Sequence, residues 1–224
     1  MKTKSQEQIL TTSKPTVYIP LSVYDVNINS VDGENDVLSK LKGKVTLFIN
    51  VTGHCGNAPQ FDITQRLYAK YKDRGFEVIA VPTNDYCGPG VTYGIYEKGI
   101  NDGQMAREYA EKEWGVTYKF TELVVSREDR EGEEPKSRKV HQLYSFLNPG
   151  GEESPINGNF EKFLVDKTGN VALRLANGVL LNFAHDDGYC RSPEVEFEKL
   201  CSAIETLLDA PDNVPVKIEK EYFD

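Results

Sequence analysis

A nearly unbroken run of apolar residues extends from Val45 to Val51, and a second run covers 76–81. Continuous apolar runs of this length are typical of strands that are buried on both faces. Between the two runs, apolar residues recur at every fourth position, which predicts a helix from about Pro59 to Lys72. A strand, a helix and a strand in this order form a βαβ unit, so we expect the two strands to be parallel.

Further along the chain, the pattern predicts two more helices, a hairpin and a last helix. The helices cover about 103–114 and 141–147. Two apolar segments flank the turn at 166–169, which predicts a β-hairpin. The last helix is expected to begin near Ser192 and Pro193, because serine suits the N-cap and proline suits the first helical position.

The segments between these elements are polar. Partial alternation of apolar residues from Tyr18 to Val26, followed by the turn VDGEND, predicts a small β-hairpin ahead of the core. Residues 83–103 are rich in Gly, Asn and Asp and are predicted to form a loop. The charged stretch 126–139 is predicted to be a solvated surface excursion.

The order β, α, β, α, then a β-hairpin and α, is that of a thioredoxin-like fold. We therefore predict an α/β protein with a central mixed β-sheet flanked by helices and with an N-terminal β-hairpin. No repeat or linker divides the chain, so we predict a flexible segment over 1–15, a single domain over 16–210 and a C-terminal tail over 211–224.

Composition excludes some classes of function. The 224 residues carry a formal net charge of -9, which argues against nucleic acid or an anionic membrane surface as the main partner. No apolar stretch approaches the length of a membrane span. The N-terminus lacks the apolar core of a signal peptide, so we expect a cytoplasmic protein.

The chemistry of the chain is expected at one of its four cysteines. Cys55 lies in a glycine-containing turn between the first core strand and the N-terminus of a helix, where backbone N–H groups and the helix dipole stabilise a thiolate. The alternative for any single cysteine is a small buried apolar residue, which is our interpretation of Cys201 on the apolar face of the last helix. The chain has no CxxC motif and no paired Cys and His spacing of a zinc site, so no metal is predicted.

Several segments resemble the glutathione peroxidase family: INVTGHCGNAPQ, LYAKYKDRGFEVIAVPTND, HQLYSFL and NFEKFLVDKTGNV. They occur in the family's order and span about 18–208. The resemblance implies a thiol-dependent peroxidase that responds to oxidative stress and reduces hydrogen peroxide or organic hydroperoxides. By position, it also implies that Cys55 is the peroxidatic residue and that Asn159 is the catalytic asparagine.

Two positions depart from the family's pattern. Asp85 stands where the family has glutamine, and Gly158 stands where it has tryptophan. An aspartate cannot donate an amide N–H, and unless it is protonated its charge opposes a nearby thiolate. Asp85 is still a candidate catalytic residue, because a protonated Asp85, like Asn159 or water, could help deliver the proton that the departing hydroxide needs. Gly158 removes an indole N–H donor. Candidates to compensate are Tyr86, Trp114 and Gln60.

The family's resolving cysteine is also displaced, because Ala110 falls near its usual position. The candidate resolving residues are Cys87 and Cys190, both in predicted loops. Alternatively, an external thiol such as glutathione or thioredoxin serves as reductant, and no bound cofactor is implied. The sequence leaves the oligomeric state open.

Two alternative functions of the chain remain open at this point, and so does the role of His54. The chain could be a divergent member with weak or no peroxidase activity that acts on another substrate. It could be a redox sensor or binding protein, including one with a soft-metal site at His54, Cys55, Cys87 and His185. His54 could also act as an acid or base beside Cys55, or be an exposed loop histidine.

Overall fold

The computed structural model describes residues 22–52, 55–86, 103–128, 139–151, 154–179 and 193–219. Within them, five strands form one mixed sheet in the order β3-β2-β1-β4-β5. The strands are β1 (Val45–Val51), β2 (Phe76–Pro82), β3 (Lys119–Phe120), β4 (Lys162–Val165) and β5 (Val171–Leu175). The central strand β1 is buried at every position, as its apolar run predicts. It pairs parallel with β2 and antiparallel with β4, so the predicted βαβ unit and the predicted hairpin are confirmed.

The described α-helices are α1 (Gln60–Tyr71), α2 (Gly103–Trp114), α3 (Gln142–Leu147) and α4 (Pro193–Asp209). Helices α1, α2 and α4 contribute to the core on one face of the sheet, and α3 packs on the other face. Cys201 is 2% exposed in the first of these cores, as predicted. Among the described residues, no helix is long and apolar enough to cross a membrane.

The prediction of an N-terminal hairpin is wrong for the part of it that is described. Residues 22–44 form two 3-10 turns, at Val23–Asp25 and Ser39–Leu41, and one isolated bridge. Val23 and Tyr24 are adjacent and both buried, which does not fit a hairpin strand with one face towards solvent. The Tyr24 hydroxyl donates to the carbonyl of Lys44 at 2.6 Å, so the turn is held against β1. The earlier residues of the predicted hairpin lie outside the described part.

The segment after α4 contacts the β4–β5 hairpin, although its sequence shows no interpretable pattern. The backbone N–H of Val216 donates to Asp166 Oδ2 at 2.9 Å. That of Ile218 donates to the carbonyl of Ala172 at 3.0 Å. Both side chains pack against the core. The predicted tail is therefore attached to the sheet through residue 218.

Candidate active site

Three of the residues singled out in the sequence lie at one edge of the sheet. Cys55 follows the carboxyl end of β1, and Asp85 follows that of β2. Because β1 and β2 are parallel, both segments leave the sheet at the same edge. Asn159 precedes β4, which is antiparallel to β1, so β4 begins at this edge too. The topology thus brings the three predicted residues to a common edge.

Cys55 occupies a compact turn that leads into α1. Its carbonyl accepts from the N–H of Ala58 at 2.9 Å, and the carbonyl of Asn57 accepts from the N–H of Gln60 at 3.1 Å. The Cys55 side chain is half-buried and packs against the core. Its Sγ accepts from the backbone N–H of Asn57 at 3.4 Å. A backbone donor aimed at the sulfur favours the thiolate, which is the nucleophilic form.

Asn159 is tied directly to this turn. Its carbonyl accepts from Asn57 Nδ2 at 3.0 Å, so one asparagine bridges the cysteine turn and the start of β4. Asn159 is 7% exposed, and its Oδ1 is buried without a hydrogen-bond donor among the described residues. An unpaired buried amide oxygen costs free energy, so the position of this side chain is not explained by its own hydrogen bonds.

The backbone around Asn159 is held by Asn50 on β1. Asn50 Nδ2 donates to the carbonyl of Gly158 at 2.9 Å, and its Oδ1 accepts from the N–H of Glu161 at 2.7 Å. Between them, Phe160 has a φ of 69°, which is unfavourable for a residue with a side chain. Its fully buried ring meets Phe61 edge-on at 4.9 Å between centroids. Asn50 and this packing together hold a strained backbone beside Asn159.

Asp85 is directed at the segment after β3. Its Oδ2 accepts from both the backbone N–H and the hydroxyl of Ser126, the latter at 2.8 Å. The Arg127 guanidinium donates to the Asp85 carbonyl, with Nε at 3.1 Å. Asp85 is 4% exposed. These contacts give Asp85 a role in attaching residues 126–127 to the end of β2.

Gly158, which stands where the family has tryptophan, lies against the side chain of Asn177. A Cβ on Gly158 would lie 2.6 Å from Nδ2 of Asn177, which is closer than real Cβ atoms approach. The Asn177 amide therefore occupies space that a side chain at 158 would need. Sequence reasoning missed Asn177, because nothing in the sequence after β5 indicates which side chain faces Gly158.

The three candidates to compensate for the family's missing groups differ in position. Gln60 begins α1 directly after the cysteine turn and is fully buried. The Tyr86 hydroxyl donates to the carbonyl of Ile156 at 3.2 Å. Trp114 ends α2 ahead of β3, which is parallel to β2, so it lies towards the opposite edge of the sheet from Cys55.

A buried lysine, also missed by sequence reasoning, lies behind the cysteine turn. Lys162 is fully buried at the start of β4, and its Nζ donates to Gln60 Oε1 and, at 2.6 Å, to the carbonyl of Val179. Burial lowers the pKa of its ammonium from 10.5 to about 7, and the carboxylates of Glu196 and Glu161 offset part of this effect. The available signal was a lysine two positions before the apolar Leu164, a spacing that places both side chains on the same face of the strand.

The lowered pKa of Lys162 makes stability depend on pH. Between pH 7 and 10.5 the unfolded chain holds a proton that the folded chain has released, so the free energy of unfolding rises with pH. Relative to Lys162→Met, the wild type should gain roughly 1 kcal/mol per pH unit between pH 7.5 and 9. Urea unfolding of both proteins at several pH values measures this difference. A difference that does not change with pH would contradict the assignment.

The soft-metal alternative involves residues that lie mostly outside the described part of the chain. Of the residues in that hypothesis, the structure describes Cys55 but not His54, Cys87 or His185. Within the described ranges, no group of three His, Cys, Asp or Glu side chains could hold a metal ion. The candidate resolving residue Cys190 is also outside them.

Comparison of the sequence with protein families finds that the glutathione peroxidase model matches residues 23–148. A glutathione peroxidase homolog, BsaA, from Staphylococcus epidermidis is 30% identical over 190 residues, which cover 84% of this chain and 99% of that protein. The hydroperoxy fatty acid reductase gpx1 of Synechocystis sp. is 33% identical over 162 residues, covering 68% of this chain and 85% of that protein.

Solved structures resemble the chain in fold. The crystal structure of T. cruzi GPX1 has a TM-score of 0.50 at 22% identity, covering 84% of this chain and 96% of that one. Trgpx in its apo form has a TM-score of 0.52 at 21% identity, covering 86% and 99%. Together with the five-stranded mixed sheet, this likeness confirms the thioredoxin-like α/β fold.

Proposed function

The chain belongs to the glutathione peroxidase family, and from this premise we propose that Cys55 is the nucleophile with which it reduces hydroperoxides. The protein is a thiol-dependent peroxidase, an oxidoreductase that acts on peroxide as acceptor. The assignment of Cys55, of its supporting residues and of the reductant is our proposal.

One observation carries the assignment of Cys55. Its sulfur accepts a backbone N–H bond in a turn between the central strand and α1, while its side chain is only half-buried. The other described cysteine, Cys201, is 2% exposed within the core. A half-buried sulfur with an N–H donor can meet a small peroxide, and a sulfur enclosed by apolar side chains cannot.

The proposed reaction has two stages. The Cys55 thiolate attacks the terminal oxygen of the hydroperoxide, the one that carries the hydrogen, and forms an S–O bond as the O–O bond breaks. The departing alkoxide or hydroxide takes a proton to become an alcohol or water. The sulfur is then a sulfenic acid. A thiol condenses with it to form a disulfide and water, and a second thiol reduces that disulfide and restores Cys55.

Asn159 and Asp85 have different proposed roles. The amide nitrogen of Asn159 can donate to the negative charge that develops on the departing oxygen. Asp85 supports the site by fixing the end of β2 to Ser126. We propose no proton transfer by Asp85, because its Oδ2 already accepts two bonds from Ser126.

The proposed substrates are hydrogen peroxide and organic hydroperoxides. The Synechocystis relative is named for hydroperoxy fatty acids, which supports including organic hydroperoxides. The proposed reductant is a thiol, either glutathione or thioredoxin, with no bound cofactor. The proposed location is the cytoplasm, where these thiols keep cysteines reduced.

Mass spectrometry of the protein after one equivalent of hydroperoxide tests the fate of the sulfenic acid. Without added thiol, we expect Cys55 in a disulfide with Cys87, which is two residues beyond Asp85, or with Cys190. Serine replacement of the true partner should leave a sulfenic acid that glutathione captures as a mixed disulfide. Cys201→Ser is the matched control and should leave the disulfide unchanged. A protein that consumes hydroperoxide while Cys55 stays a thiol would contradict the proposal.

A further inference from the structure

Gln60 connects three parts of the molecule that meet behind the cysteine turn. Its backbone N–H donates to the carbonyl of Asn57 within the turn. Its side-chain Nε2 donates to the carbonyl of Asn177 at 2.7 Å, and its Oε1 accepts from Lys162. Because Gln60 is fully buried, water cannot replace a lost partner at low cost.

Burying the amine of Lys162 at this position is energetically unfavourable. It is fully buried, and none of the described carboxylates lies within 4.0 Å of its nitrogen to form an ion pair. The charged groups that act on it are Glu196 from α4 and Glu161, which directly precedes it in sequence. An apolar side chain of similar volume would avoid the cost of desolvating an amine, so stability alone does not explain a lysine here.

We propose that Lys162 is a positioning residue for Cys55 that acts through Gln60; this rests on the proposed role of Cys55 as the nucleophile. The cysteine turn is attached at two points: Asn57 bonds the carbonyl of Asn159, and Gln60 bonds Lys162. With both attachments in place, the N–H of Asn57 stays aimed at the Cys55 sulfur.

Removing the Lys162 amine leaves Gln60 Oε1 without its donor in a dry environment. The amide must then rotate or move, which also releases the carbonyl of Asn177 and loosens the first turn of α1. A shift of about 1 Å in a reacting group can cost about 100-fold in rate. Lys162 therefore acts on the reactivity of Cys55 without touching the peroxide.

The test compares Lys162→Met with Lys167→Met in the full chain. Lys167 is a suitable control, because its Nζ also donates to a backbone carbonyl, that of Ala210, but it lies in the hairpin turn at the opposite end of β4. The rate constant for oxidation of Cys55 by hydrogen peroxide is measured in a single turnover, well below the melting temperature. The pH midpoint of Cys55 alkylation is measured as well.

We expect Lys162→Met to lower the rate constant between about 10-fold and 100-fold and to raise the pH midpoint of alkylation. Lys167→Met should change the melting temperature but neither the oxidation rate constant nor the pH midpoint of alkylation. Gln60→Leu should reproduce the slower oxidation. The double variant should be no slower than either single variant, because each single variant already removes the same Lys162–Gln60 hydrogen bond. If Lys162→Met does not fold, Gln60→Leu carries the test by itself.

The outcomes separate the two proposals. A wild-type Cys55 that reacts no faster than an ordinary thiol would refute the proposed function. A fast wild-type Cys55 whose rate and alkylation midpoint are unchanged in the folded variants would refute the role of Lys162 alone. A lower melting temperature with unchanged reactivity would mean that Lys162 is only a structural residue.

Discussion

Cys55→Ser should lower the rate of hydroperoxide reduction about a thousandfold or more, because a serine hydroxyl cannot be oxidised to a sulfenic acid. The fold should be retained, since the residue is half-buried and the exchange is nearly isosteric. Steady-state consumption of hydrogen peroxide and of an organic hydroperoxide, with glutathione or thioredoxin present, measures the effect.

Cys201→Ala is the matched control for this experiment. Cys201 accepts a hydrogen bond from Lys70 at 3.4 Å near the C-terminal end of α1, whereas the candidate site lies at its N-terminal end, so loss of the Cys201 side chain should reduce stability but preserve activity. Wild-type turnover by Cys55→Ser would refute the assignment of the nucleophile. Loss of activity in a folded Cys201→Ala protein would refute the interpretation of Cys201 as a core residue.

Asn50→Leu should reduce the free energy of unfolding by about 3 kcal/mol and should also impair the peroxidase. The change leaves the carbonyl of Gly158 and the N–H of Glu161 without partners in the buried centre of the sheet. It also frees the strained backbone at Phe160, which holds Asn159 beside the cysteine turn. Urea unfolding and peroxide consumption are the two measurements.

Thr46→Val provides the control at the other end of β1. Thr46 is fully buried, and its hydroxyl bonds that of Tyr24 at 3.1 Å, so the variant should also lose stability. Its peroxidase rate should not change under conditions in which it is folded. An Asn50→Leu protein with full activity and wild-type stability would show that Asn50 does not hold the Asn159 segment.

The predictable part of the fold is the part encoded in local periodicity. Strand β1 is nearly continuously apolar and is buried throughout. The recurrence of apolar residues at every fourth position between β1 and β2 predicts the ends of α1 to within one residue. The N-terminal hairpin was mispredicted because its partial alternation also fits a 3-10 turn that buries two adjacent residues. The segment after α4 contacts the hairpin mainly through backbone N–H groups, which no sequence pattern reports.

The residues of the candidate site also include some that the sequence indicates and some that only the structure reveals. Cys55 could be selected from its place between a strand and a helix, and Asn159 from the family resemblance. The burial of Lys162 could be predicted from its place in an apolar strand, but its contact with Gln60 and that of Asn177 with Gly158 could not, because the residues in each contact are distant in sequence. Such contacts depend on how the end of β5 and the start of α1 come together in three dimensions.

Gly158 and Asp85, the two residues that depart from the family pattern, each have identifiable neighbours in the structure. Gly158 is accommodated by the Asn177 amide, which fills the adjacent space. Asp85 has its own partners in Ser126 and Arg127. The site is altered on the sides where the family has tryptophan and glutamine, while the cysteine turn keeps its backbone donor and its link to Asn159.

Stopped-flow oxidation of the reduced wild-type protein by hydrogen peroxide and by an organic hydroperoxide tests directly whether Cys55 is the peroxidatic nucleophile. The cysteines are then identified by mass spectrometry. We predict rapid and selective oxidation of Cys55, at least about a thousandfold faster than that of an ordinary thiol at the same pH. Oxidation of Cys55 at the rate of an ordinary thiol would show that Cys55 is not the peroxidatic nucleophile.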